Sequence, residues 1–244
     1  MKRFLGTLVG TGILLAATAA SAQGYSGGYS TGTYRPAVPS YPSGVDNIGN
    51  AGQFTIAAER ITGLFFDRES VPGSTLKTTH LVLLGNDSGQ SVSATPRAAF
   101  DYFVIDGLSV GGSIAYMSHA PSGGPSLKTF LFSPRVGYAY AFDDTFSIWP
   151  RVAFIYSHQS FSLQQPTATG GTTSTSASSH FTQLSLEAMF GISPMKHVVF
   201  LAGPLVDIGL GGSQSATDPI TNTEASSSHK LTSFGLSAGL LAYY

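Results

Sequence analysis

The sequence predicts an all-β protein: an eight-stranded antiparallel up-and-down transmembrane β-barrel with a short extra strand segment in its first outer loop. Three observations carry this expectation. From residue 51 onward, apolar residues alternate with small or polar ones at a period of two. Connections alternate between tight turns and long polar loops, as they do in bacterial outer-membrane barrels. Charge is scarce, at 10% of 244 residues, against roughly 25% in ordinary soluble proteins.

Composition removes several other classes. Hydrophobic residues make up 42% and aromatics 11%, with 29 glycines and no cysteine. A helical bundle needs more Ala, Glu, Lys and Leu. A disordered chain has fewer aromatics and a higher net charge. Twelve Lys and Arg against 13 Asp and Glu lack the basic excess of a nucleic-acid binder. Without cysteine there is no disulfide, no thiolate-bound zinc and no thiol nucleophile.

The N-terminus has the pattern of a cleaved signal peptide over residues 1–22. Lys2 and Arg3 precede an apolar run from Phe4 to Ala19, and Ala20-Ser21-Ala22 is a small-x-small cleavage site. Residues 23–50 are rich in Gly, Ser, Tyr and Pro without periodicity, which predicts a flexible linker. The barrel is expected over 51–244. After residue 50 no apolar run reaches the roughly 20 residues of a membrane helix. A membrane route for this part of the chain therefore requires a closed barrel.

Strands are expected near 53–66, 94–106, 108–119, 127–142, 145–158, 180–193, 198–210 and 230–244. In 130–142 one face is Phe130, Phe132, Pro134, Val136, Tyr138, Tyr140 and Phe142, while the other holds Leu131, Ser133, Arg135, Gly137, Ala139 and Ala141. The same division recurs in 146–156, 184–192, 198–210 and 232–244. Asp106-Gly107, Asp143-Asp144 and 194–197 are tight turns, the first a strong hairpin signal. Longer polar loops fall at 67–93, 120–126, 159–179 and 211–229. Short turns then lie on the periplasmic side with both termini, and long loops lie outside. Leu76 to Gly85 also reads as a strand and is placed in the first outer loop. A ten-stranded barrel with one more strand is the alternative.

The runs Glu59-Arg60-Ile61-Thr62-Gly63, Pro96 to Gly107 and Pro134-Arg135-Val136-Gly137-Tyr138-Ala139 resemble a group of uncharacterised bacterial outer-membrane β-barrel proteins. More loosely, the chain is similar to small OmpA/OmpX-type barrels. The resemblance spans about 51–244 and implies a fold and a cell-envelope location in a Gram-negative cell. It brings no catalytic residues. The last strand, with alternating apolar residues from Leu236 and a terminal aromatic at Tyr244, looks like a signal for the barrel assembly machinery.

By alternation, Arg97, Asp101, Arg135, Arg151, Glu187 and Asp207 point into the lumen. An eight-stranded interior is just wide enough to be filled by side chains, so balanced charges there are expected to form a satisfied network. A polar conduit or a catalytic carboxylate pair is the alternative. Each Arg of Pro96-Arg97, Pro134-Arg135 and Pro150-Arg151 follows a proline, which usually marks a bulge. Adjacent Glu59 and Arg60 would put one charge toward lipid by strict alternation, so a bulge is expected there; a first strand shifted until one charge reaches the interface is the alternative. His119, His158, His180 and His229 fall at loop-side strand ends, where a rim metal site competes with simple tolerance of histidine at a wet interface. No HExxH spacing or phosphate-binding loop is present, and no cofactor is expected. The expected role is structural or interactive, with outer-membrane lipid as the surroundings. The alternatives are a small-solute transporter, a lipid-modifying barrel enzyme and a secreted lipocalin-like ligand binder.

Overall fold

Alternation along each strand sorts the side chains. Leu131, Ser133 and Arg135 are buried, while Phe130, Phe132, Val136 and Tyr138 are exposed. A computed structural model describes residues 47–83, 91–120, 125–166, 172–217 and 224–244. The signal peptide expected over 1–22 and most of the linker expected over 23–50 lie outside the described residues, as do parts of the long loops.

Among the described residues eleven strands form one sheet: β1 (Phe54–Val71), β2 (Ser74–Val82), β3 (Arg97–Phe103), β4 (Leu108–His119), β5 (Ser126–Tyr138), β6 (Tyr140–Ala141), β7 (Phe146–Pro166), β8 (Thr172–Met195), β9 (Val198–Thr217), β10 (Glu224–Ser228) and β11 (Lys230–Tyr243). No helix occurs among the described residues. β1 pairs with β3 along one edge and with β11 along the other, so the sheet closes on itself. β5 and β6 are one strand interrupted at Ala139, whose N–H donates to the Gly107 carbonyl at 2.7 Å. The ring therefore has eight positions, all antiparallel. Tight turns and the C-terminus share one end, and long hairpins extend from the other. Gly107, with φ of 80°, closes the β3–β4 turn, where only glycine adopts that conformation without strain.

The extra strand expected over Leu76–Gly85 in the first outer loop is observed over Ser74–Val82. β2 folds back on β1 at the loop end, from Gly63↔Val82 to Val71↔Ser74. β3 begins at Arg97, not at 94. The backbone of 91–96 leaves the wall and runs inside the barrel, with Ser91 through Thr95 buried. Thr95 Oγ1 donates to the Ser91 carbonyl at 2.8 Å and holds that bend.

Three other expectations shift. Segments 159–179 and 211–229 are polar but largely strand, because a backbone ladder needs no apolar side chains and Thr suits extended backbone. β7 and β8 stay paired from Phe146↔Ile192 out to Pro166↔Thr172. The prolines do not mark bulges: β7 keeps register with β8 through Pro150, and β5 keeps register with β7 although its ladder lapses at Ser133 and Pro134. The bulge in β1 falls instead between Ala58 and Thr62, with Arg60 at φ of 54°. Finally, residues 47–50, expected in the linker, are tied to the turn end. Asn47 Nδ2 donates to the Asp143 carbonyl at 3.0 Å, and Ile48 is fully buried.

Candidate functional site: the barrel interior and its mouth

The inward faces stack in layers along the barrel. Near the turn end Ile48, Phe103, Trp149, Leu201 and Tyr243 form an apolar floor. Toward the loop end Val92, Leu131, Ile155, Phe181 and Leu231 form a second apolar layer, with Phe65, Val82, Ala94 and Leu205 beside it. Between the two lies a chain of ion pairs.

The chain starts at Asp101 of β3. Arg135 of β5 grips Asp101 with two donors, Nε to Oδ1 at 2.9 Å and Nη2 to Oδ2 at 2.5 Å. Its Nη1 donates to Glu59 Oε2 at 2.6 Å. Arg151 of β7 donates to the other oxygen of Glu59, and its Nη2 reaches Glu187 Oε2 at 2.5 Å. Arg60 continues from Glu187 Oε1 at 2.8 Å to Asp207 Oδ2 at 2.7 Å. Ser185 Oγ donates to Asp207 Oδ1 at 2.5 Å. Seven alternating charges from β1, β3, β5, β7, β8 and β9 thus cross the interior. The Trp149 ring lies below, 5.6 Å from the Arg135 guanidinium and 4.8 Å from that of Arg151, within the range of cation–π attraction.

Five of the six expected lumen charges belong to this chain. Arg97 points inward but makes no ion pair among the described residues. Its Nη2 donates to the Val92 carbonyl at 3.4 Å, and its Nε has no partner. Alternation gave its direction but not its partner, and the inserted 91–96 segment stands in its way. Glu59 and Arg60 were the residues that strict alternation could not place. The bulge between Ala58 and Thr62 turns both inward, so neither meets lipid. Adjacent opposite charges inside an apolar strand were the available signal.

The close packing also demands small residues. Gly111 of β4 lies opposite both Asp101 and Arg135 in the ladders. A Cβ there would collide with the Phe100 carbonyl and the Asp101 carboxylate. Gly111→Val should cost about 1–3 kcal/mol by overpacking, checked by urea unfolding of the refolded protein.

The rim histidines do not converge. His158 and His180 face each other across β7 and β8 and are both exposed. His180 lies 3.3 Å from Ser213 Oγ through Nδ1. His119 is exposed at the end of β4, whereas His229 is buried inside. No group of three or more His, Asp or Glu side chains is arranged to hold a metal ion among the described residues. His229 belongs to another cluster, with Asp67, Glu69 and His80, around a cavity above the second apolar layer. The sequence reading did not single out those three partners.

The outside of the ring is the complement of the inside. Ile56, Val110, Ile114, Phe132, Phe200 and Leu236 are all exposed. A lipocalin-like protein would need these faces turned inward. Ile114 lies opposite Ala98 and Phe132 in mid-sheet. Ile114→Arg should destabilise the barrel in bilayers by about 2–4 kcal/mol, measured by denaturant titration in liposomes.

A closed antiparallel sheet, apolar outside and ion-paired inside, satisfies its backbone in lipid without help from water. These features define a transmembrane β-barrel of the outer-membrane type.

No family model matches the chain, and no curated protein does. Among solved structures it is similar to the outer membrane protein AlkL, with a TM-score of 0.45 at 12% identity over 90% of this chain and 97% of that one. It is also similar to Neisserial surface protein A, at 0.42 and 15% over 78% and 98%. For OprG from Pseudomonas aeruginosa the values are 0.42 and 11% over 82% and 99%. Likenesses this distant carry no argument about what this chain does.

Proposed function

We propose that the protein is an outer-membrane β-barrel with a structural or surface-interaction role, its interior sealed by side chains and its long hairpins displayed outside. The ion-pair chain from Asp101 to Asp207, held between two apolar layers, is the observation that carries this reading. Moving a solute along the axis would require separating buried charges, and each one left unpaired costs several kcal/mol. Glu59, Asp101, Glu187 and Asp207 each accept from an arginine. That leaves no inward carboxylate of the chain poised as a general base or nucleophile. The reading places the short turns in the periplasm and the hairpins at the cell surface. It also makes lipid the partner of the apolar exterior and gives β11, with Tyr244, to the assembly machinery.

Cell fractionation with heated and unheated gels tests location. The protein is expected in the outer-membrane fraction, with a mobility shift on heating. Protease added to intact cells is expected to cut within the hairpins. Recovery in the soluble periplasmic fraction would overturn the reading.

A further inference from the structure

Above the second apolar layer the barrel mouth encloses a cavity of about 260 Å³. Its lining includes Asp67, Glu69, His80, Ser91 and His229, with Phe181, Val92 and Leu231 as the apolar part. No lysine or arginine lines it among the described residues. On β1, Arg68 lies between Asp67 and Glu69 and is exposed on the opposite face. The four arginines and four acids further in balance one another, so they do not offset these two carboxylates.

Two side chains here have unmet hydrogen-bonding capacity. Asp67 is only 8% exposed. Its Oδ2 accepts from Ser91 Oγ at 2.7 Å and lies 3.6 Å from His80 Nε2, while its Oδ1 has no partner. His229 is 3% exposed and stands edge-on to Phe181, with ring centroids 4.7 Å apart. Its Nε2 lies 2.5 Å from Glu69 Oε1 but out of hydrogen-bond alignment, and its Nδ1 has no partner. A buried carboxylate oxygen without a donor is costly to leave unmet. A group that brings both a donor and a positive charge meets that need most strongly.

We propose that this mouth is a binding site for small organic cations: a primary ammonium on a short apolar body. The ammonium sits between the Asp67 and Glu69 carboxylates, and a turn of the Asp67 side chain brings its enclosed, unpartnered Oδ1 to the ligand. The apolar body lies against Phe181, Val92 and Leu231, and the Phe181 ring adds attraction for the cation. The apolar layer forms the floor of the site, so the ligand stays at the mouth. The site goes beyond the sealed-barrel reading and does not depend on it.

Calorimetric titration of the refolded full chain with n-butylammonium tests this, with n-butanol and butyrate as counter-probes. Saturable binding is expected for the ammonium, at least tenfold tighter than for either counter-probe. Asp67→Asn keeps an acceptor for Ser91 and loses the charge, so binding should weaken at least tenfold. Thr78→Trp, at an exposed position on the lining, should block the cavity and abolish binding. Arg68→Gln, on the outward face, should bind like the parent. Folding of each variant is read from its heat-shifted gel mobility, and Thr78→Trp carries the test if Asp67→Asn does not fold. Equal binding of butyrate or butanol, unchanged affinity in folded Asp67→Asn or Thr78→Trp, or no saturable binding by the folded parent would each overturn the proposal.

Discussion

Arg135→Leu should destabilise the barrel by about 3–5 kcal/mol, the cost of removing one partner from a buried ion pair. Arg135 serves two acids, Asp101 through two bonds and Glu59 through a third. Leucine fills much of the space but leaves Asp101 without an ion-pair partner and Glu59 with Arg151 alone. Urea unfolding of the refolded protein measures the loss, and unheated gels should show reduced barrel mobility. Arg97→Leu is the comparison. Among the described residues Arg97 makes one 3.4 Å bond to a carbonyl and no ion pair, so its replacement should cost less than half as much. Equal losses at the two positions would show that the ion-pair chain contributes little beyond burial.

The second large effect is expected at Trp149, the only tryptophan in the sequence. Its ring is fully buried, packs against Phe103 in a tilted pair with centroids 5.8 Å apart and lies under both Arg135 and Arg151. Its Nε1 donates to Ser109 Oγ at 3.1 Å. Trp149→Ala should cost about 3–5 kcal/mol through the cavity left behind, with further loss of cation–π attraction. Trp149→Phe keeps most of the volume and should recover more than half of that. The check is denaturant unfolding followed by circular dichroism, since fluorescence is lost with the residue.

Alternation carried most of the fold because a barrel wall separates two very different surroundings. Arg135, Arg151, Glu187 and Asp207 were legible as inward residues because each lies in an unbroken run with lipid-facing neighbours. Glu59 and Arg60 announce a bulge by being adjacent charges in an apolar strand, and the structure has it at Ala58–Thr62; the direction of each side chain is not legible, because the bulge breaks the parity on which such counting depends. The insertion of 91–96 left no periodic trace. Its Ser, Val and Ala would suit a strand, and only tertiary contacts decide that it turns inside. The polar hairpins of β7, β8 and β9 read as loops in the sequence because side-chain composition says little about a ladder made by the backbone. The histidines were grouped by position along the chain. Grouping by face would have separated His229 from His158 and His180, and would have led to Asp67 and Glu69.

The sealed interior is the central claim, and planar-bilayer recording of the refolded full-length protein tests it most directly. Sealing by the ion-pair chain and its apolar layers predicts a membrane current indistinguishable from the protein-free bilayer at moderate voltage. Stable, ohmic conductance steps from the unmodified protein would contradict it.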